Sequence, residues 1–185
     1  MMMIKKEILE SVIILLMTLS IILSSYLSFR IPGIESVAPV TAQTLILSLL
    51  VYYFSKRKVL LSIGFFIILG ILGFPVFAEG KSGFDILLGN SGGFIYGFFM
   101  SALLMKNIHE GLKLNFLSRI SYFSLFTIYV LLFGFIHLSF KIGFINSWQY
   151  GIKPFLIGAA VKIFLALLIV EIWARINKNR AKDLS

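Results

Sequence analysis

The sequence predicts an all-α membrane protein of six transmembrane helices with both termini in the cytoplasm. Three observations predict it. The 185 residues are 59% hydrophobic with a mean hydropathy of +0.98, more apolar surface than an ordinary soluble domain needs. Uncharged runs occupy 11–29, 38–55, 59–78, 86–105 and 120–140, and a sixth, 154–170, is interrupted only by Lys162. Each is near the roughly 20 residues that carry a helix across about 30 Å of hydrocarbon. The cations are the third observation. Six spans place Lys5, Lys6, Lys56, Arg57, Lys58, Lys106, Lys113, Arg119, Arg175, Lys178, Arg180 and Lys182 on one side. Arg30, Lys81, Lys141 and Lys153 fall on the other. The richer side is cytoplasmic by the positive-inside rule, and both termini lie there.

We read residues 1–185 as a single transmembrane domain with helices near 9–29, 40–55, 59–75, 88–106, 119–140 and 152–174. Residues 1–10, with Lys5 and Lys6 ahead of an apolar run, imitate a signal peptide, but the run is longer than a usual h-region and is read as helix 1. The absence of cysteine excludes disulfides, thiolate metal sites and a cysteine nucleophile. A net charge of +9 invites a nucleic-acid reading, yet the cations sit at helix ends and no basic soluble segment interleaved with aromatics is present. The lipid bilayer is the expected partner, and nucleic acid is not.

Helix 1 carries Ser20, Ser24 and Ser28 at intervals of four, a line of small residues suited to close helix contact. That contact is either inside the bundle or with a partner protein. The loop at 30–40 holds Pro32, Gly33 and Pro39 and cannot continue the helix. Beyond it, Gln43 is an amide near a membrane mouth, able to read donors and acceptors on a ligand. Thr41 is equally suited to cap helix 2. Residues 52–58 read as an inner turn anchored by aromatic and basic side chains. The outer stretch 73–83 is broken by Gly73, Pro75 and Gly80 and can act as a lid, with Phe77 either covering a bound ring or anchoring at the interface. Trp148, in the outer loop 141–149, has the same two readings.

The stretch Leu87-Leu88-Gly89-Asn90-Ser91-Gly92-Gly93-Phe94-Ile95-Tyr96-Gly97 organises the rest. Glycine inside a helix costs roughly 0.5–1 kcal/mol relative to alanine, so this density implies backbone that something approaches closely. We read it as a ligand floor. Asn90 and Tyr96 lie six residues apart, about 600° of helix rotation, so they share a pocket only if the glycines bend or unwind the helix.

Lys162 stands about eight residues past Pro154, roughly 12 Å of helical rise and near mid-bilayer. A charge at that depth costs several kcal/mol unless paired or hydrated. All eight acids lie at helix ends, in loops or in tails, and Glu171 is on the opposite face of the same helix. The anion that pairs with Lys162 is therefore expected from a bound ligand; the plainer alternative is a snorkelling or neutral lysine held by carbonyls.

Four segments carry a resemblance. They are Pro39-Val40-Thr41-Ala42-Gln43-Thr44, Leu69-Gly70-Ile71-Leu72-Gly73-Phe74-Pro75-Val76-Phe77, Leu88 to Phe98 through the glycine stretch, and Lys153-Pro154-Phe155-Leu156-Ile157-Gly158 with Lys162. In order and topology the chain resembles the BioY family, the biotin-specific substrate-binding (S) components of energy-coupling-factor (ECF) transporters. The resemblance implies an ECF S-component-like bundle, an outward-facing pocket under the outer loops, and tight biotin binding without a cofactor. It implies Asn90, Tyr96 and Lys162 as ligand contacts, to which our own reading adds Gln43, Ser91 and Phe77. It implies as partners a transmembrane coupling protein and two cytoplasmic ATPases, with small residues of helix 1 at the coupling protein. The sequence itself holds no G-x-x-x-x-G-K-[ST] loop, so ATP hydrolysis belongs elsewhere. One position departs: family members commonly carry aspartate where this chain has Ala159, which leaves Lys162 freer to take a ligand carboxylate.

Two alternatives remain. The deep cation fits another carboxylated vitamin as well as biotin. Gly89-Asn90-Ser91-Gly92 also spells the G-x-S-G of rhomboid-like intramembrane serine proteases, with His137 as the base. Apart from that alternative, no catalytic residue and no metal ligand is expected.

Overall fold

The computed structural model describes residues 2–29, 36, 38–109 and 115–183. Helix α1 (Met2–Tyr26) leads into β1 (Ser28–Phe29), which pairs antiparallel with β2 (Val40–Thr41) so that Ser28 faces Thr41. Then follow α2 (Gln43–Tyr53), α3 (Lys56–Ile71), a 3₁₀ turn (Ala78–Gly80), α4 (Phe84–Leu88) and α5 (Gly92–His109). Beyond these come α6 (Phe116–Ile142), α7 (Phe144–Asn146), a π-helical turn (Ser147–Ile152) and α8 (Phe155–Asp183). Most of the loop 30–40 and the centre of the 106–119 connection lie outside the described residues.

Among the described residues, three helical segments are long and apolar enough to cross a membrane: Lys5–Tyr26, Phe116–Ile142 and Phe155–Lys178. Their outer faces stay apolar in the folded chain. Leu15, Leu16 and Leu23 of α1 and Ile157, Phe164 and Trp173 of α8 are all exposed, the surface of a protein whose solvent is lipid. The core between the helices is aromatic, with Phe66, Tyr122, Phe123 and Phe126 almost fully buried.

Helix boundaries differ from the expected ones for identifiable reasons. α1 starts before its apolar run because lysine and glutamate are good helix formers and hydropathy does not stop a helix. It stops at Tyr26, so Ser28 belongs to a strand and not to the expected serine line. α3 ends in a Schellman turn: the Phe74 N–H donates to Leu69 O (3.1 Å), the Gly73 N–H to Gly70 O (3.2 Å), and Gly73 takes φ +96°. α6 is started by Asn115, whose side chain accepts from the Ser118 N–H at 2.8 Å while Ser118 Oγ accepts from the Asn115 N–H.

The fourth expected helix, 88–106, is two helices with a break at 89–91. A Cβ on Gly92 would stand 1.7 Å from Leu87 O; one on Gly93 would meet His137 Cβ at 2.4 Å, and one on Gly97 Val130 O at 3.0 Å. The glycines do receive a close neighbour, but it is the chain's own backbone and helix α6. The stretch is thus a packing seam that also forces the break, and its Ser91, Phe94, Ile95 and Phe98 line the cavity described below.

Helix α1 packs on α3 through a reciprocal clasp. Thr18 Oγ1 donates to Ser62 O and Ser62 Oγ donates to Ile14 O, each at 3.2 Å. Ser24 is buried in the bundle, and Ser20 and Ser24 return their hydroxyls to the carbonyls of Met17 and Ile21. Two further bonds tie the end of α1 to the stretch after α3. Ser25 Oγ donates to Val76 O at 2.8 Å, and Tyr26 donates to Pro75 O.

Candidate substrate cavity

The bundle encloses a cavity that several elements line at helical spacing. Ser91 at the end of the break and Phe94, Ile95 and Phe98 of α5 form one wall; α6 contributes Thr127, Val130 and Leu131; α8 contributes Phe155, Ala159 and Lys162. These are i, i+3, i+4, i+7 sets, each one face of one helix. Gln43 and Thr44 come from the first turn of α2, and Thr41 from β2, which the β1–β2 pairing positions. Phe77, Ala78 and Lys81 come from the folded-back stretch after α3.

Lys162 Nζ donates to Thr41 O and to Thr44 Oγ1, both at 3.3 Å. No carboxylate reaches it among the described residues. Glu171, on the far face of α8, pairs instead with Arg119 of α6 at 2.5 Å. Among the described residues Lys162 Nζ is thus partnered only by dipoles, an arrangement that leaves it able to take an anion. Ala159, one turn earlier on α8, presents a methyl group to the same cavity.

Gln43 is the second polar element. Its Oε1 accepts from Thr41 Oγ1 at 3.3 Å, whereas its buried Nε2 has no hydrogen-bond partner. An unsatisfied buried amide donor costs about 1–3 kcal/mol, a cost that a ligand acceptor at the cavity removes.

The remaining walls are apolar. The Phe94 and Phe155 rings lie 5.4 Å apart at 35°. Phe77, only 2% exposed, sits edge-on to Phe66 at 5.4 Å and fills the space over Gly70, where a Cβ would stand 2.1 Å from its ring. Phe77 is therefore a cavity wall and not an interface anchor. Trp148 is half exposed and does not line the cavity.

Four of the six expected ligand residues meet here: Gln43, Phe77, Ser91 and Lys162. Asn90 and Tyr96 do not line the cavity. Asn90 is exposed at the break, and Tyr96 turns away to donate to Leu87 O at 3.0 Å, with its ring edge-on to His137. His137 Nε2 hydrogen-bonds Gly89 O at 2.9 Å. Ser91 and His137 make no hydrogen bond to one another, so the nucleophile–base contact that a serine protease requires is missing. Sequence reasoning also missed Thr44, Phe94, Phe155 and Lys81. Phe94 and Phe155 carry a signal, their helical spacing from Ser91 and Lys162.

Fold and cavity together define a class: a lipid-facing helical protein with an internal, cation-bearing cavity of apolar and aromatic walls. The family follows from comparison. The BioY family's sequence model matches residues 2–179, and the chain belongs to the BioY family. A protein named probable biotin transporter BioY from Rickettsia prowazekii is 31% identical over 158 residues, 85% of this chain and 79% of that one. Biotin transporter BioY2 of Lactococcus lactis subsp. cremoris is 36% identical over 75 residues, 40% of this chain and 41% of that protein, so this match spans under half of its length. The fold matches a crystal structure of the S-component for biotin from an ECF-type ABC transporter with a TM-score of 0.79 and 23% identity, over 92% of this chain and 93% of that one. These relatives are transporters and not enzymes.

Proposed function

We propose that this protein is the biotin-capturing S component of an ECF-type importer in the plasma membrane. It takes biotin from the outer side and delivers it through a transmembrane coupling protein driven by two cytoplasmic ATPases. The observation that carries this reading is Lys162, whose amine faces an internal cavity that no carboxylate among the described residues lines. Biotin supplies what is missing: a carboxylate for Lys162, a ureido carbonyl as acceptor for Gln43 Nε2, and a ring system for the Phe94, Phe155 and Phe77 walls. Ser91 contributes its hydroxyl.

In this reading the chain spans the bilayer six times with both termini cytoplasmic. α2, at 11 residues, rises only about 16 Å, and its span is completed by the β1–β2 pair. α4 and α5 form one broken span, tolerated because the freed backbone at 89–91 is covered by α6 and His137.

The test is calorimetric titration of the purified, detergent-solubilised protein, stripped of carried-over ligand, with biotin, biotin amide and an unrelated neutral vitamin. Tight one-to-one binding of biotin and much weaker binding of the amide is the expected result. Absence of biotin binding by the folded chain overturns the reading. Binding of a different carboxylated vitamin in its place reassigns the cargo.

A further inference from the structure

Among the described residues that line the cavity, only two side chains are ionisable, and both are lysines: Lys162 and Lys81. They stand in different settings. Lys162 is partly buried and held by a carbonyl and a hydroxyl, whereas the Lys81 side chain is 52% exposed, placing it where the cavity meets solvent. Lys81 is already paired: its Nζ lies 2.7 Å from Glu79 Oε2, and Glu79 does not line the cavity.

The backbone fixes this pair at the mouth. The Phe77 N–H donates to Lys81 O at 3.0 Å and the Gly83 N–H to Gly70 O at 2.8 Å, closing residues 77–83 back over α3. Glu79 takes φ +61°, a left-handed conformation rare for a non-glycine residue. The bonds from Ser25 and Tyr26 hold the preceding residues against α1. The two charges are thus set two residues apart on a tethered turn.

We propose that Lys81 and Glu79 form an exchangeable ion pair at the cavity mouth, in which Lys81 leaves Glu79 for the carboxylate of the incoming ligand and then passes it to Lys162. Exchange is cheap because a partly exposed ion pair contributes little stability. It is directional because both charged side chains that line the cavity among the described residues are lysines, which favours anions over cations inside it. Glu79 acts as a brake on this capture. It neutralises the mouth in the absence of ligand and competes with the ligand for Lys81. The inference rests on the carboxylated cargo proposed above and assigns the step that sets its rate of capture.

Rapid-filtration capture of radiolabelled biotin and biotin amide by the purified full chain tests it, using wild type, Lys81→Gln and Glu79→Gln over a range of salt. Lys81→Gln is expected to slow biotin association about three- to tenfold and flatten its salt dependence, with amide capture unchanged. Glu79→Gln is expected to speed biotin association. An unchanged biotin rate for Lys81→Gln, an equal slowing for acid and amide, or a slower rate for Glu79→Gln overturns the exchange. Where wild type binds biotin tightly, any of those results leaves the proposed function standing. Failure of wild type to bind biotin overturns both.

Discussion

Lys162 and Gln43 share a predicament: each brings a polar group into an apolar cavity and leaves part of it unsatisfied. Thr41 and Thr44 give the ammonium two neutral oxygens, fewer than its three donors require. In the proposed function, a ligand carboxylate would complete that shell through a charge-assisted bond worth about 1.5–3 kcal/mol, one to two decades of affinity. Lys162→Ala should therefore weaken biotin by roughly that factor and the amide by far less; equal losses by calorimetry remove the carboxylate pairing. Asn90 separates two expectations. The family resemblance implies a ligand contact, yet here the side chain is exposed beside the cavity-lining Ser91. With Asn90 where the structure holds it, Asn90→Ala changes biotin affinity less than about threefold, under 1 kcal/mol. A loss of tenfold or more would mean that ligand turns the 89–91 break inwards. Ser91→Ala should cost at most one hydrogen bond's worth of affinity, about 1 kcal/mol, because no base addresses that hydroxyl.

At the scale of elements, the glycines decide geometry by what they exclude. Gly92 accepts the Leu87 carbonyl where a methyl group cannot fit, and Gly93 accepts His137 in the same way. Gly92→Ala should destabilise the protein by about 1–3 kcal/mol or displace α4 from α5, read as a lowered melting temperature in detergent. Gly64, in the middle of α3, has nothing within 4 Å of where a methyl group would stand. Gly64→Ala should be neutral or stabilise by up to about 1 kcal/mol through helix propensity. Opposite signs for two glycines of one chain test the packing seam directly. The same seam marks what was legible in the sequence. Helical periodicity from Ser91 to Phe98 and from Phe155 to Lys162 is written in the residue order, and so were two walls of the cavity. The break at 89–91 was signalled by glycine density, but its partner was not, because the contact with α6 joins residues about 40 apart. Lys81 was illegible as a cavity residue for a similar reason. Its position depends on the Schellman turn at Gly73 and on hydrogen bonds from α1 to Pro75 and Val76. Of the serine line of helix 1, Ser24 faces the bundle, as the packing alternative expects, and Ser28 has left the helix, a departure that the spacing of four did not signal.

For the whole molecule the open quantity is how the helices thread the bilayer. Three segments satisfy length and apolarity by themselves, while α2, α3 and α5 are shorter than a hydrocarbon core requires of a straight helix. The cation distribution adds a constraint that helix length does not. Arg57 and Lys58, at the start of α3, share a side with the Lys5–Lys6 end of α1 only if α2 crosses, and Lys141 and Lys153 share the opposite side with Lys81 only if α5 and α6 both cross. In the proposed six-span threading, β1–β2, the turn after α3 and the α4 break would supply the rest of the path inside protein, where their backbone groups find partners. The absence of cysteine makes this directly measurable. Single Ser55→Cys and Lys153→Cys variants place a thiol at exposed positions of the proposed inner and outer sides. A membrane-impermeant maleimide applied to intact cells should label Lys153→Cys at once, and Ser55→Cys only after the membrane is permeabilised. Labelling of both in intact cells would mean that the α2–α3 turn faces outwards, which breaks the six-span threading and with it the assignment of a cavity mouth at Lys81 to the outer side. Retained biotin binding in both variants establishes that the thiols report the native topology.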